Sequence, residues 1–165
     1  MTDPVIAELL SGGPVVTDGA WGTQFLARGL VPREHAEQWN LRHPDRVEEV
    51  AHSYVEAGSR VILTNTFQAN RLALGEAGPD TVAINRAGVE ISRRAAGDDV
   101  KVFATIGPST KLLVTGDVTA AELADVFAEQ AGALAAAGAD GLVIETMSDI
   151  DEARIAVAAA SATGQ

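Results

Sequence analysis

Asp18-Gly19-Ala20-Trp21-Gly22-Thr23 joins a carboxylate to two glycines directly after the apolar run Pro14-Val15-Val16. Glycines there let the backbone turn sharply and bring its N–H groups close to a ligand. An aspartate at a strand end can hold an ammonium group; in the same place it can also simply cap the following turn. The Gly-x-x-Gly spacing is not a phosphate loop, because it lacks the Gly-Lys-Ser/Thr of one form and the third glycine of the other. Glu145 closes a second apolar run, Leu142-Val143-Ile144, with no Lys or Arg among its immediate neighbours. A carboxylate so placed either meets a buried cation or binds a ligand, since an unpaired buried charge is costly. The strand-end position favours the ligand. Asn65 and Thr66, within Thr64-Asn65-Thr66-Phe67, supply a matching polar wall, although strand ends also use Thr and Asn to tie down loops. A further cluster, Thr105-Ile106-Gly107-Pro108-Ser109, follows Val102-Phe103-Ala104.

Other chemistries find less support. His35, His43 and His52 are spaced by eight and nine residues, which fits neither a helical pair nor a compact metal knuckle. They read as surface or loop histidines, and no metal ligand is assigned. No serine sits in a nucleophile-elbow context, and no catalytic residue is assigned. Trp21 and Trp39 suit either a pocket wall or the core.

Each cluster must sit where a strand ends and a helix begins, because parallel α/β folds build their sites from the loops after the strands' carboxyl ends. Asp3 and Pro4 open a short helix to Leu10, which Gly12-Gly13-Pro14 ends. Gly29 to His43 reads as a loop. Pro44 opens a helix with Val47, Val50, Ala51 and Tyr54 on one face, closing at Gly58. After the strand Val61-Ile62-Leu63 comes a helical pair broken at Gly78-Pro79, whose second member buries Ile84, Ala87, Ile91 and Ala95. Thr119 and Glu122 form a capping box for a helix with the stripe Leu123, Val126, Phe127, Ala131 and Leu134. Ser148 with Asp151 caps the last helix, which runs to about Ala160. The fold class is therefore α/β with a parallel sheet, in four β-α units and a single domain over residues 1–165. Gly164-Gln165 stands where a fifth strand would begin. Four units fill half of an eight-stranded barrel and leave open edges. The expectation is a homodimer or a partner chain that completes the barrel.

Composition narrows the partners. The chain has 165 residues, 47 % of them hydrophobic, and a formal charge of -11. Twelve basic residues against that charge exclude a nucleic-acid or anionic-membrane surface, both of which need clustered Lys and Arg. No run approaches the ~20 apolar residues of a membrane span, and Met1-Thr2-Asp3-Pro4 lacks a signal peptide's basic and apolar regions. A cytoplasmic protein is expected. With no cysteine, disulfides and thiolate metal sites are excluded within this sequence.

Taken in order, Asp18-Gly19-x-x-Gly22-Thr23, Trp39-Asn40-Leu41, Ala57-Gly58 before Thr64-Asn65-Thr66-Phe67, Ile106-Gly107-Pro108, and Gly138-Ala139-Asp140 before Ile144-Glu145-Thr146-Met147 resemble the homocysteine S-methyltransferases. This is the homocysteine-binding domain of cobalamin-dependent methionine synthase and betaine–homocysteine methyltransferase, and the likeness is closer to the methionine synthase branch. It covers residues ~14 to 160, a stretch in which each motif is weak alone and the set is specific. The resemblance implies a TIM-type (β/α)8 barrel, of which this chain is the N-terminal half, and methyl transfer to the sulfur of homocysteine to give methionine. It implies that Asp18 and Glu145 hold the homocysteine ammonium, that Gly19 and Ala20 offer N–H groups to its carboxylate, and that Asn65 and Ser109 line the pocket. It also implies a zinc ion held by cysteines that this sequence lacks, so that the chain alone would be inactive. The methyl donor is open among a methylcorrinoid (cobalamin), methylfolate, a betaine and a methylsulfonium. The alternative is a non-catalytic half-barrel that binds a small amino acid or a partner chain. A third reading is a barrel enzyme using Asp18 and Glu145 as an acid/base pair.

Overall fold

A computed structural model describes residues 4–75 and 80–164; the expected cap Asp3 and the break at Gly78-Pro79 lie outside the described residues. Helix α1 spans Pro4–Leu10 and α2 spans Trp21–Ala27. A 3-10 turn, Ala36–Gln38, leads into the one-turn helix α3, Trp39–Arg42. The stretch expected as a loop is thus partly helical, because Trp39 buries its ring against Phe25 and Val47. Then follow α4 (Pro44–Glu56), β1 (Val61–Leu63), α5 (Arg71–Leu74), α6 (Thr81–Ala96), β2 (Lys101–Ile106), α7 (Ala120–Ala136), β3 (Gly141–Ile144) and α8 (Ile150–Ser161).

The described sheet has three parallel strands in the order β1-β2-β3, with Leu63 opposite Phe103 and Thr105 opposite Val143. The fourth strand expected at Pro14-Val15-Val16 is corrected to a single parallel bridge, Thr17 to Val61. The backbone reason is local. Arg60 N–H donates to Val16 O at 2.9 Å and Asp18 N–H to Val61 O at 3.1 Å. The next ladder position is then taken by a side chain, since the Leu63 N–H donates to Asp18 Oδ2 at 2.8 Å. Asp18 thus ends the ladder and is fixed at the strand end by the same bond.

Strand alternation sorts the two faces of the sheet. Ile62 and Val102 pack with Ala51, Ala95 and Ala96, while Ala104 and Ile106 join Val89, Leu123, Phe127 and Leu134. Burying each large apolar side chain contributes ~1.5–3 kcal/mol, more than the ~1 kcal/mol of a helix cap. The stripe on α7 therefore decides where that helix lies, and the Thr119–Glu122 capping box, present as expected, fixes where it starts. Val61, Leu63, Phe103 and Val143 point to the other face. There, with Ile6, Leu9 and Leu10 of α1, they line an apolar cavity of 340 Å³. The last helix is capped by Asp149, whose side chain accepts from the Asp151 N–H, and not by the expected Ser148. Among the described residues no helix is long and apolar enough to cross a membrane.

Candidate functional site

At the carboxyl ends of the strands lies a cavity of 370 Å³, toward the small end of the ~300–1,000 Å³ usual for small-molecule sites. Gly19, Ala20, Asn65 and Glu145, all expected from the sequence, line it. Asp18 stands directly behind the Gly19-Ala20 turn. Its Oδ2 accepts the Trp21 indole N–H at 2.6 Å as well as the Leu63 amide. Ser109 is elsewhere. It is fully buried, its N–H donates to Glu152 Oε1 at 2.8 Å, and its hydroxyl accepts from the Lys111 N–H at 3.2 Å.

Two loops form the polar wall as one unit. Asn40 Nδ2 donates to Asn65 O at 2.8 Å and to Ile84 O at 3.0 Å, and Asn40 Oδ1 accepts from Asn65 Nδ2 at 2.9 Å. Asn65 Nδ2 also reaches Ala36 O, and the Glu37 carboxylate accepts the Gln68 N–H at 3.0 Å. Gln130 on α7 donates to Thr66 O at 2.8 Å, and the Thr66 hydroxyl donates to Thr105 O at 2.9 Å. This close approach requires glycine at 88, where a Cβ would meet Thr66 Cγ2 at 2.6 Å and Asn40 Nδ2 at 2.7 Å. It also requires glycine at 107, over which the Phe67 ring lies within 2.5 Å of a Cβ position. On the opposite side the Tyr54 hydroxyl donates to Ala20 O at 3.0 Å and steadies the Asp18-Gly19-Ala20 turn.

The electrostatics of the cavity are one-sided. Burial pushes the Asp18 carboxyl above its ordinary 3.8, although the Leu63 and Trp21 N–H groups oppose the shift. Glu145 is raised above its ordinary 4.5, first by burial and then by the charge of Asp18. Glu37, at 6 % exposure, is the second carboxylate on the wall beside Glu145. No Lys, Arg or His lines the cavity among the described residues. Such a site disfavours its own ionised form until a cation arrives.

Glu37 and the rings of Phe25 and Phe67 were missed as wall residues by sequence reasoning. Glu37 lies in the segment without periodicity, and its one signal was its place two residues before the Trp39-Asn40 pair. The zinc that the resemblance implies does not fit the residues present. The sequence has no cysteine, and among the described residues no group of three His, Asp or Glu side chains converges to hold a metal.

Residues 15–164 match the family model of homocysteine S-methyltransferase. The methionine synthase of Mycobacterium tuberculosis is 32 % identical over 169 residues, an alignment covering 94 % of this chain and 14 % of that protein. Pig betaine–homocysteine S-methyltransferase 1 is 27 % identical, over 98 % of this chain and 60 % of that enzyme. In three dimensions the metallated homocysteine methyltransferase MmuM of Escherichia coli superposes with a TM-score of 0.83 at 23 % identity, covering 96 % of this chain and 63 % of the other. The chain thus spans less than two thirds of each of these relatives.

Proposed function

Because the chain belongs to the homocysteine S-methyltransferase family, we propose that its cavity binds L-homocysteine for methyl transfer to the sulfur, giving methionine. The observation that carries this reading is Glu145 on the cavity wall with Asp18 behind it, both raised by burial and Glu145 also by the charge of Asp18, in a cavity that no cation lines among the described residues. The substrate ammonium would occupy the position facing Glu145, with Asp18 adding charge from behind. Among the described residues no acceptor takes the Gly19 or Ala20 N–H, so these donors are free for the substrate carboxylate. The committed amide of Asn65 leaves its Oδ1 as an acceptor on the wall. Phe25, Phe67 and Trp21 supply apolar surface for the thioether or thiol end.

The contribution of these residues is binding and orientation. Fixing the amino-acid end sets the direction in which the sulfur points, which is how a positioned reactant lowers a barrier. Sulfur activation needs a thiolate, since a free thiol of pKa ~8.5 is mostly protonated at neutral pH. The zinc of the family would supply that chemistry when bound, and the residues present do not hold it.

Calorimetric titration tests the reading. L-Homocysteine is expected to bind to the chain, and 4-mercaptobutanoate, which lacks only the amino group, is expected to bind ~10- to 100-fold more weakly, the effect of losing a charge-assisted contact. Equal binding of the two would remove the carboxylate pair from the site.

A further inference from the structure

Thr146, one residue beyond Glu145, has φ 60, a left-handed conformation that β-branched residues rarely adopt. Its side chain is exposed and makes no hydrogen bond among the described residues, so side-chain contacts do not hold it there. Its two neighbours face in opposite directions. Val143 and Glu145 continue the alternation of β3 onto the inner side, where each lines a cavity. Leu142 and Ile144 pack into the cluster under the helices. Continued as a strand, the chain would send Met147 to the inner side with Glu145. Met147 instead packs into the helix-side cluster. The left-handed residue between them makes this reversal.

Both flanks are anchored. The Glu145 N–H donates to Ile106 O at 3.1 Å, and Asp149 caps α8 through the Asp151 N–H at 2.8 Å. Strained conformers persist where the surroundings determine them from both sides, and they gather at binding sites. We propose that residue 146 is a positioning residue whose left-handed backbone, and not its side chain, lets the Glu145 carboxylate keep its aim into the cavity while Met147 packs under the helices. This rests on the homocysteine reading for its consequence in binding, but the orientation of Glu145 stands apart from any ligand.

Three variants test it. Glycine adopts the left-handed region freely, so Thr146→Gly should melt no lower than the parent and bind L-homocysteine within ~2-fold of it, because the strain is relieved and the aim kept. Thr146→Val keeps the branched shape without the hydroxyl and should also bind within ~2-fold. Proline fixes φ near -65°, and the Thr146 N–H donates no hydrogen bond among the described residues, so Thr146→Pro removes the left-handed conformation without breaking a backbone hydrogen bond at 146. Thr146→Pro should weaken homocysteine ~10-fold or more, the scale of one lost charge-assisted contact. Carbon-13 titration of the Glu145 carboxyl in the ligand-free chain supplies the independent reading. It should stay raised in the parent, Gly and Val chains and return to the ordinary glutamate range in Thr146→Pro. A Glu145 titration unchanged in a folded Thr146→Pro chain would overturn the proposal. So would a ≥10-fold loss of binding in Thr146→Gly or Thr146→Val with Glu145 still raised, which would move the role to the side chain. If Thr146→Pro does not fold, a Thr146→Gly chain that melts below the parent is the overturning result. A parent chain that shows no homocysteine binding but the predicted Glu145 pattern would instead sink the homocysteine reading alone.

Discussion

Replacing Glu145 by Gln is expected to weaken L-homocysteine binding ~10- to 100-fold while the protein stays folded. The substitution keeps the size of the side chain and removes its charge. A hydrogen bond to a charged group contributes ~1.5–3 kcal/mol, which sets the expected range. The same substitution should not destabilise the ligand-free protein at neutral pH. Both carboxyls are raised above their ordinary 3.8 and 4.5. Groups shifted in that direction contribute stability below those ordinary values and lose it as pH rises through the raised ones. At pH 7 the pair therefore carries a cost, and Gln at 145 removes its half of the repulsion. Calorimetry with homocysteine and a thermal melt of the free protein together check the prediction. Weaker binding joined to a lower melting temperature would mean that Glu145 is structural.

The second large effect is on stability. Asn40 is 2 % exposed and serves Asn65 O, Ile84 O and Asn65 Nδ2 at once. Asn40→Ala strands the buried Asn65 carbonyl, while Ile84 O keeps its place in the α6 ladder, so a loss of ~1–3 kcal/mol is expected. Asn65 Nδ2 keeps Ala36 O and is spared that cost. In a protein of this size the change corresponds to a fall of roughly 2–12 °C in melting temperature. The neighbouring Leu41, 51 % exposed, is the control, and its replacement by Ala should change stability by less than ~0.5 kcal/mol. Urea denaturation of the two variants distinguishes a network of buried amides from a general sensitivity of this turn.

The division between what was legible in the sequence and what was not follows from the range of the interactions. The helices α4, α6 and α7 announce themselves by local periodicity and by caps such as the Thr119–Glu122 box. The cavity positions of Gly19, Ala20, Asn65 and Glu145 were legible because strand-end loops converge in any parallel α/β fold. Pro14-Val15-Val16 looked like a strand because apolar runs do not reveal whether a ladder forms. There Asp18 takes the ladder bond that a backbone carbonyl would have taken. The resemblance puts Ser109 at the pocket, yet its backbone N–H is held by Glu152, 43 residues away, which no local pattern encodes. Glu37 was hidden for the same reason, since its partner is the backbone of Gln68 in another loop.

The central claim is that two carboxylates whose pKa values are raised, chiefly by burial, receive the ammonium of homocysteine. Its most direct test is proton release on binding, measured by calorimetry in buffers of different ionisation enthalpy at about pH 5, just above the ordinary carboxylate range. Near that pH the ligand's own ammonium, carboxyl and thiol lie away from their midpoints, so the protons come from the site. Binding should release protons, the release should fade as pH rises toward 8, and affinity should tighten over the same interval. Binding with no proton release near pH 5, or with proton uptake, would contradict the account.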